Sequence, residues 1–296
     1  MPKDKSRRPR SWMFVPGNKE RFLQKAPASG ADAILLDLED GVLPDEKATA
    51  RQMVSAALHT PSGGLLRYVR VNALTTPWLF DDLHVIVQNG LDGICLTKVD
   101  NSDQIGQLDA ILSFLEHKRD LPKGGIRILA AIESARGLNN AAAIAACNAR
   151  VTGLMFGAED YALDLGLGTR REKEAAELIY SRSIIVGAAA AAAIWSVDGV
   201  YPNLEDPQGL IEDTKQARRL GFTAKSTFNP RQIEVINGIF SPQPDEIDYA
   251  RKVAKAFDEA KKRGDASVAV GGQLVDRPIL LRALALLEIA DPEART

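Results

Sequence analysis

Charged side chains end several short apolar runs of this 296-residue sequence. These endings are LDLED at 36–40, VRVN at 69–72, TK at 97–98, AIES at 131–134, FGAED at 156–160 and the aspartate at 198. Any one of these charges could simply face solvent or close a salt bridge. Glu133, however, follows a mostly apolar stretch, so its burial needs a compensating partner or a metal ion. Several carboxylates around one cavity repel each other, and a divalent cation would offset that repulsion.

The residue types near these endings restrict the kind of metal. His59, His84 and His117 fall in predicted helices or at helix ends, away from the apolar runs, so a Ser-His-Asp or histidine-metal mechanism has little support. An oxygen-only donor set favours Mg²⁺, Mn²⁺ or Ca²⁺ over zinc. Because Mg²⁺ leaves several coordination positions to water and substrate, two protein carboxylates would suffice.

Arg70 is the one arginine among these endings, and it lies two residues before Asn72. A guanidinium group is planar and can hold a carboxylate through two hydrogen bonds. It can also stabilise an oxyanion that develops during a reaction. The carboxylates and Arg70 together predict a site for anion chemistry.

The elements that must position these residues alternate between short apolar runs and longer helical patterns. We predict strands at 12–16, 33–40, 67–72, 93–99, 126–133, 152–157, 196–201 and 223–227, with helices at 45–58, 77–88, 102–116 and 207–220. Eight apolar strands separated by helices indicate a parallel α/β sheet and fit a (β/α)8 TIM barrel. The alternative, an open doubly wound sheet, usually has a G-x-G-x-x-G turn after its first strand, and the turn here is Val15-Pro16-Gly17-Asn18. In a TIM barrel the chemistry lies at the carboxyl ends of the strands.

The pattern changes after Pro242. A helix is predicted over 244–262, followed by a polar link, the segment 269–275 and an amphipathic helix from Pro278. We therefore predict a barrel domain over residues 1–241 and a C-terminal extension over 242–296.

Composition excludes several classes of partner. The net charge of −2 gives no general reason to expect a nucleic acid or an anionic membrane. No apolar stretch approaches the roughly 20 residues of a membrane span, and no apolar segment follows the basic first ten residues as in a secretory signal. Cys95 and Cys147 both lie in apolar runs and are expected to be buried thiols. We expect a cytoplasmic protein.

Eight blocks of the sequence, taken in order, resemble a known family. They are SWMFVPGN at 11–18, LDLEDG at 36–41, VRVN at 69–72, IE at 132–133, FGAED at 156–160, DGVY at 198–201, NPRQ at 229–232 and VDRP at 275–278. This order is similar to that of the CitE-like branch of the HpcH/HpaI aldolase family, which contains citrate lyase β chains, malyl-CoA lyases and citramalyl-CoA lyases. The resemblance covers Ser11 to about Glu288. It implies a TIM barrel and a Mg²⁺-dependent carbon–carbon lyase that acts on a 2-hydroxy-acid thioester of coenzyme A.

The resemblance also implies roles for residues in the barrel. Glu133 and Asp160 match the family's Mg²⁺ ligands, for which Mn²⁺ can substitute. Arg70 matches the residue that binds substrate and stabilises the enolate, and Glu133 also belongs to the substrate site. Asp37 matches a carboxylate that supports catalysis. The residues implied in CoA binding are Arg21, Lys25 and Asp198; the first two are four apart and would share one helix face, which suits phosphate groups.

The resemblance also implies a role for the C-terminal extension. Asp276 matches a catalytic aspartate that the family carries on a lid, often acting on a neighbouring subunit, and Gly271 and Gly272 are candidate hinges. The family forms closed homo-oligomers, so we expect a homotrimer or hexamer, or association with citrate lyase partner subunits.

Two blocks depart from the family pattern and leave the substrate open. The usual Leu-Pro-Lys is Leu96-Thr97-Lys98 here, and the usual Ile-His-Pro is Phe228-Asn229-Pro230. The chain could instead be a citrate lyase β subunit that acts on an acyl-carrier thioester, or a malate-synthase-like condensing enzyme with thioesterase activity. A non-catalytic barrel that binds CoA thioesters is disfavoured, because all the implied catalytic and metal residues are present.

Overall fold

The computed structural model describes residues 8–168 and 175–291. The chain divides into two compact units, Met1–Gly238 and Ile239–Thr296. The charged strand endings belong to the first unit, and Asp276 belongs to the second. Glu172, near which the sequence places the start of a long helix, lies outside the described residues.

The first unit is a closed barrel of eight parallel strands. They are β1 (Ser11–Pro16), β2 (Ala33–Asp37), β3 (Leu66–Val71), β4 (Gly93–Leu96), β5 (Arg127–Ile132), β6 (Val151–Phe156), β7 (Trp195–Asp198) and β8 (Ala224–Thr227). Each strand pairs with the next, and β1 also pairs with β8, which closes the barrel. This confirms the predicted TIM barrel. Because all strands run in one direction, their charged endings meet at one mouth.

Helices cover the outside of the barrel. They are α1 (Glu20–Lys25), α2 (Lys47–Leu58), α3 (Leu79–Ile86), α4 (Ser102–Lys118), α5 (Ala135–Asn139), α6 (Ala141–Ala146), α7 (Ala158–Asp164), α8 (Ile179–Ala191), α9 (Pro207–Leu220) and α10 (Ile233–Phe240). The predicted bounds of α9 are correct because its ends are marked in the sequence. Asp206 caps the N-terminus, and Gly221 ends the helix with a φ of 105°.

Several predicted strands are too long at their carboxyl ends. Strand β2 ends at Asp37 rather than residue 40, β4 at Leu96 rather than residue 99, and β7 at Asp198 rather than residue 201. In each case the chain leaves the sheet after its last paired residue and forms a loop at the mouth. The apolar pattern continues into these loops because Leu38, Val99 and Val200 are also buried.

The interior of the barrel is filled with side chains. Trp12 lies edge-on to Tyr68 with ring centroids 5.0 Å apart, and the Trp195 ring lies 5.9 Å from Trp12. Strand β4 begins with a glycine, Gly93. Glycine is required there because a Cβ would overlap the Tyr68 ring. The barrel interior is therefore a packed core, and a ligand would bind at a mouth of the barrel.

The second unit contains α11 (Pro244–Lys262), β9 (Val268–Val270), β10 (Gln273–Val275) and α12 (Arg277–Ala290). The two strands form an antiparallel hairpin. Gly271 and Gly272 form its two-residue turn with φ of 59° and 81°, a conformation that suits glycine. The structure thus assigns these glycines to a tight turn, in place of the predicted hinge. The lid and oligomerisation roles of residues 242–296 stay predictions.

In the described ranges, no helix combines the length and the apolar character that crossing a membrane requires. The expectation of two buried thiols is half correct. Cys95 is buried in β4, but Cys147 is exposed because it follows the short helix α6 at the surface.

Candidate active site

Arg70 is held in a fixed orientation at the barrel mouth. It pairs with Asp37 across the β2–β3 ladder, and its Nε and Nη2 donate to Asp37 Oδ1 and Oδ2 at 2.7 and 2.6 Å. Nη1 lies 3.1 Å from Glu39 Oε2, and the guanidinium stands 4.8 Å from the centroid of the Phe14 ring. Burial would lower the pKa of Arg70, but the charges of Asp37 and Glu39 outweigh burial and raise it. The side chain is a permanent, immobile cation.

Asp37 holds its own loop as well as Arg70. Its carboxylate accepts the Glu39 N–H at 2.9 Å and the Gly41 N–H at 3.0 Å. A Cβ at position 41 would overlap Asp37 Oδ2, so the loop requires glycine there. The structure gives Asp37 a direct contact with Arg70, and its catalytic role stays a prediction.

Buried polar groups outside the mouth fix the backbone of the same loop. Lys47 Nζ donates to the Leu38 and Glu39 carbonyls at 2.9 and 3.0 Å. Asn72 Nδ2 donates to the Leu38 carbonyl at 2.9 Å and to Asp82 Oδ2 at 2.6 Å. These contacts explain why a buried lysine and asparagine lie beside the mouth, and they make the positions of Asp37 and Glu39 rigid.

Glu133 follows β5 and is 7% exposed. Its Oε2 accepts the Lys98 backbone N–H at 2.8 Å. Burial raises its pKa to about 7, although the Arg70 charge and the Lys98 N–H act in the opposite direction and the charge of Asp160 adds to the increase. A Cβ at position 157 would overlap the Glu133 side chain, so glycine is required beside it. The Arg70 charge and the Lys98 N–H therefore offset only part of the free energy that burial of the ionised Glu133 carboxylate costs.

Asp160 lies in the first turn of α7, after β6. It shares a cavity of about 240 Å³ with Glu133, and the other lining residues are Lys98, Asp100, Ser134, Leu163 and Asp164. In residues 8–168 and 175–291, no group of three or more His, Cys, Asp or Glu side chains is arranged to hold a metal ion. Two carboxylates beside an open cavity suit a hard cation that takes its other ligands from water and substrate.

Glu39 and Lys98 belong to this site, although neither was assigned a role from the sequence. Lys98 Nζ donates to Glu39 Oε1 at 2.9 Å, so Glu39 lies between Lys98 and Arg70. Lys98 has a φ of 54°, in the left-handed region that is rare for residues other than glycine. In the predicted strand 33–40, the two-residue spacing of Asp37 and Glu39 predicts that both point to one face. In the structure the strand ends at Asp37, and Glu39 reaches Arg70 from the loop that follows.

Asp198, the last residue of β7, lies in a separate buried ion cluster with Lys225 of β8, Arg182 of α8 and Asp213 of α9. Its Oδ2 accepts from Arg182 Nη2 at 2.8 Å and from Lys225 Nζ at 2.7 Å. Burial would raise the pKa of Asp198, but Lys225 and Arg182 outweigh burial and lower it. Asp213 lies 3.2 Å from Arg182 and 2.5 Å from Lys225. CoA binding by Asp198 stays a prediction, and the structure gives its carboxylate protein partners instead.

The other predicted site residues lie on the surface. Arg21 and Lys25 are exposed on α1, directly after the Val-Pro-Gly-Asn turn. Asp276 is exposed and caps α12, where its Oδ1 accepts the Ile279 N–H at 3.3 Å. His59, His84 and His117 lie on helices α2 to α4 or at their ends, away from the mouth, as predicted.

Comparison with known proteins adds to this geometry. Residues 10–230 match the family described as HpcH/HpaI aldolase/citrate lyase. The citrate lyase subunit beta of Leuconostoc mesenteroides subsp. cremoris is 40% identical over 283 residues, which cover 95% of this chain and 93% of that protein. A (3S)-malyl-CoA thioesterase of Cereibacter sphaeroides is 36% identical over 95% of this chain and 94% of its own length. The crystal structure of CitE from Mycobacterium tuberculosis, in complex with magnesium, acetoacetate and coenzyme A, matches with a TM-score of 0.79 and 29% identity over 95% of this chain and 98% of that one.

Proposed function

The chain belongs to the HpcH/HpaI aldolase/citrate lyase family and is a lyase, and we propose that it cleaves a 2-hydroxy-acid thioester of coenzyme A into a 2-oxo acid and an acyl-CoA. One observation carries this proposal. The Arg70 guanidinium, fixed by Asp37 and Glu39, lies close enough to Glu133 for the two charges to interact. A fixed arginine and a buried carboxylate thus meet at one barrel mouth, which supports a site that stabilises an anion beside a bound cation.

We propose that Glu133 and Asp160 hold a Mg²⁺ ion. The donors are carboxylate oxygens beside an open cavity, and the Glu133 charge lacks full compensation, so the site fits a hard cation. A solved CitE contains magnesium and coenzyme A, which supports both the metal and the substrate class. When bound, the ion would supply Lewis-acid polarisation to the 2-hydroxy-acid end of the substrate.

The residues of the chain would act on the thioester half of the substrate. Loss of the hydroxyl proton to solvent turns the 2-hydroxy acid into a 2-oxo acid while the bond between carbons 2 and 3 breaks. The electron pair of that bond passes to the thioester and forms an enolate. Arg70 would stabilise the enolate oxygen. A proton added to the enolate carbon, which we assign to Asp276, completes the acyl-CoA and balances the proton lost from the hydroxyl group.

Binding of the CoA part would use the exposed α1. Arg21 and Lys25 lie one helical turn apart on this helix, and both side chains reach solvent. Two cations at this spacing suit the phosphates of coenzyme A. Asp198 would act indirectly, by fixing the end of β7 against β8 and α8.

A substrate panel tests the proposal. Citryl-, malyl-, methylmalyl- and citramalyl-CoA are each incubated with the full chain and Mg²⁺, and the 2-oxo acid and acyl-CoA products are measured. Cleavage of at least one substrate is expected, with loss in EDTA and recovery on adding Mg²⁺ or Mn²⁺. Cleavage that continues in EDTA would remove the metal from the mechanism, and inertness toward all four thioesters would reject the substrate class.

Two of the relatives favour specific variants of this function. The citrate lyase subunit beta relative favours a subunit that acts on a citryl thioester of an acyl carrier protein, and the (3S)-malyl-CoA thioesterase relative favours hydrolysis of a malyl thioester. The products separate them. A lyase yields acyl-CoA and a 2-oxo acid, whereas a thioesterase yields free CoA and malate. Cleavage of citryl-acyl carrier protein but not of citryl-CoA would identify the subunit function.

We propose that the chain forms a closed homo-oligomer in which Asp276 of one subunit serves the site of another. Inactive Glu133→Gln and Asp276→Ala proteins are mixed, dissociated and reassembled. If Asp276 acts in trans, some mixed sites carry both intact residues and activity reappears; if it acts within its own chain, the mixture stays inactive. Full activity of Asp276→Ala alone would leave this residue with only its capping bond to Ile279.

A further inference from the structure

Lys98 connects two sets of carboxylates, one through its ammonium and the other through its backbone and the cavity it lines. On one side it bonds Glu39 at 2.9 Å and stands 3.8 Å from Asp40. On the other side, residue Lys98 lines the cavity that Glu133 and Asp160 also line, and its backbone N–H donates to Glu133. The Asp160 charge already acts on Lys98, as its contribution to the raised pKa of this lysine shows. The ammonium could therefore pair with either set.

We propose that Glu39 is a positioning residue that holds the Lys98 ammonium away from Glu133 and Asp160, so that these carboxylates stay available to a divalent cation. The inference rests on the proposed function only in taking Glu133 and Asp160 as the cation ligands. It assigns a role to a residue that touches neither the cation nor the substrate.

Glu39 is built to be a fixed anchor. It is 5% exposed, its Oε2 accepts the Asp40 N–H at 2.9 Å, and the same oxygen lies 3.1 Å from Arg70 Nη1. Lys47 also holds the Glu39 backbone carbonyl at 3.0 Å. Asp40 cannot replace it, because the Asp40 side chain is 64% exposed and makes only the longer contact. The anchor for Lys98 is therefore Glu39.

Lys98 needs such an anchor because of its side chain and its backbone. A lysine ammonium sits on a flexible four-carbon stem and reorients easily. The left-handed backbone and the Lys98 N–H bond to Glu133 Oε2 fix the base of that stem beside the cavity. Two carboxylates that line one cavity attract any nearby cation. Without Glu39, the ammonium would move onto Glu133 and Asp160 and compete with the metal.

The test is a double-mutant cycle read by Mn²⁺ affinity without substrate, measured by electron paramagnetic resonance on the full chain. Glu39→Gln should weaken Mn²⁺ binding on the order of tenfold, a typical coupling for groups in contact. Lys98→Met alone should change the affinity by less than about threefold, since Glu39 already holds the ammonium away. Lys98→Met in the Glu39→Gln background should restore the affinity to nearly the wild-type value.

Non-additive effects of the Glu39 and Lys98 substitutions on Mn²⁺ affinity distinguish the positioning role of Glu39 from a simple change of charge. If Lys98→Met changes Mn²⁺ affinity by the same factor in both backgrounds, the charges act independently and the inference is overturned. Glu39→Asp keeps the charge but shortens the side chain, so it should also weaken binding; an unchanged affinity would count against the anchor. Asp40→Asn is the matched control and should leave the affinity within about twofold.

Folding is monitored by the thermal midpoint of each variant. If Glu39→Gln does not fold, the same cycle is run with Glu39→Asp, which retains a partner for Arg70. Failure of the wild-type chain to bind Mn²⁺ would overturn the proposed cation site and this inference together. Wild-type binding with additive effects would overturn this inference alone.

Discussion

Two clusters of charge lie beside the barrel strands, and they differ in balance and in exposure. The closed cluster contains Arg182, Lys225, Asp198 and Asp213, in which two cations match two carboxylates. The open cluster contains Arg70 and Lys98 with the carboxylates of Asp37, Glu39, Glu133 and Asp160, so carboxylates are in excess. Lys98, Glu133 and Asp160 of the open cluster line the cavity of about 240 Å³. A cluster with equal numbers of cations and carboxylates holds strands and helices together. A cluster with more carboxylates than cations keeps negative charge that a cationic ligand can neutralise.

The pKa values express the same difference. In the closed cluster, Lys225 and Arg182 outweigh burial and lower the pKa of Asp198. In the open cluster, burial outweighs Arg70 and raises the pKa of Glu133 to about 7. The first carboxylate is stabilised as an anion by the protein. The second is left to be stabilised by what it binds.

The largest expected effect is loss of function in the open cluster without loss of stability. Glu133→Gln and Asp160→Asn should each abolish turnover and Mg²⁺ binding. Because the folded state disfavours the Glu133 anion, Glu133→Gln should leave the thermal midpoint at pH 8 unchanged or raise it. Isothermal titration calorimetry and thermal melts measure both, with exposed Glu159→Gln as a control. Normal turnover in either variant would reject the cation site.

The next effect sharpens the role of Arg70 in the same cluster. Arg70→Lys keeps the charge but loses the planar fork that Asp37 holds, so kcat should fall by roughly 10²-fold or more. Steady-state kinetics on the substrate found in the panel measure it. A rise in KM with unchanged kcat would make Arg70 a binding group and contradict its enolate role.

The closed cluster should respond in the opposite way. Asp198→Asn leaves Asp213 as the remaining carboxylate of the cluster for both Arg182 and Lys225. Breaking a buried pair typically lowers the free energy of unfolding by about 3 kcal/mol. Urea denaturation measures this loss. The folded variant should keep KM for the thioester close to the wild-type value. A large rise in KM with intact stability would favour the predicted contact between Asp198 and CoA.

The smallest effect concerns pH and Glu133. Its pKa is raised from 4.5 to about 7, so metal-free protein holds this proton more tightly when folded and loses stability as pH rises between these values. Cation binding must displace the proton, so Mg²⁺ affinity should weaken by about tenfold per pH unit below 7 and level off above it. Calorimetry from pH 5.5 to 8.5 measures this. A flat profile would mean that Glu133 is already ionised throughout.

The sequence alone was sufficient to predict that the main residues of the open cluster lie close together. Asp37, Arg70 and Glu133 each end an apolar run, and parallel strands bring their carboxyl ends together, so their convergence follows from chain direction alone. The barrel was predictable for the same reason. The resemblance to a known family then supplied roles that the pattern alone left open.

The remaining features depend on side-chain direction and on contacts between distant segments. Asp198 also ends an apolar run, but its carboxylate meets Arg182 and Lys225 from α8 and β8, and no local pattern shows which strand-end charge is neutralised. The left-handed backbone of Lys98 is equally invisible, because lysine seldom takes that conformation. Gly271 and Gly272 could be read as hinge or turn until the flanking segments were seen to pair.

The absence of a side chain at Gly157 makes this position a criterion for sorting proteins of the same architecture. The Glu133 carboxylate occupies the space that a Cβ would fill, so any other residue at 157 would push the carboxylate from its place. A related barrel could keep the glutamate and the aspartate and still lose the cation through a single added methyl group. When duplicated genes are divided into catalytic and non-catalytic copies, a missing glycine before Ala-Glu-Asp would therefore mark a lost activity even where both acidic residues are retained.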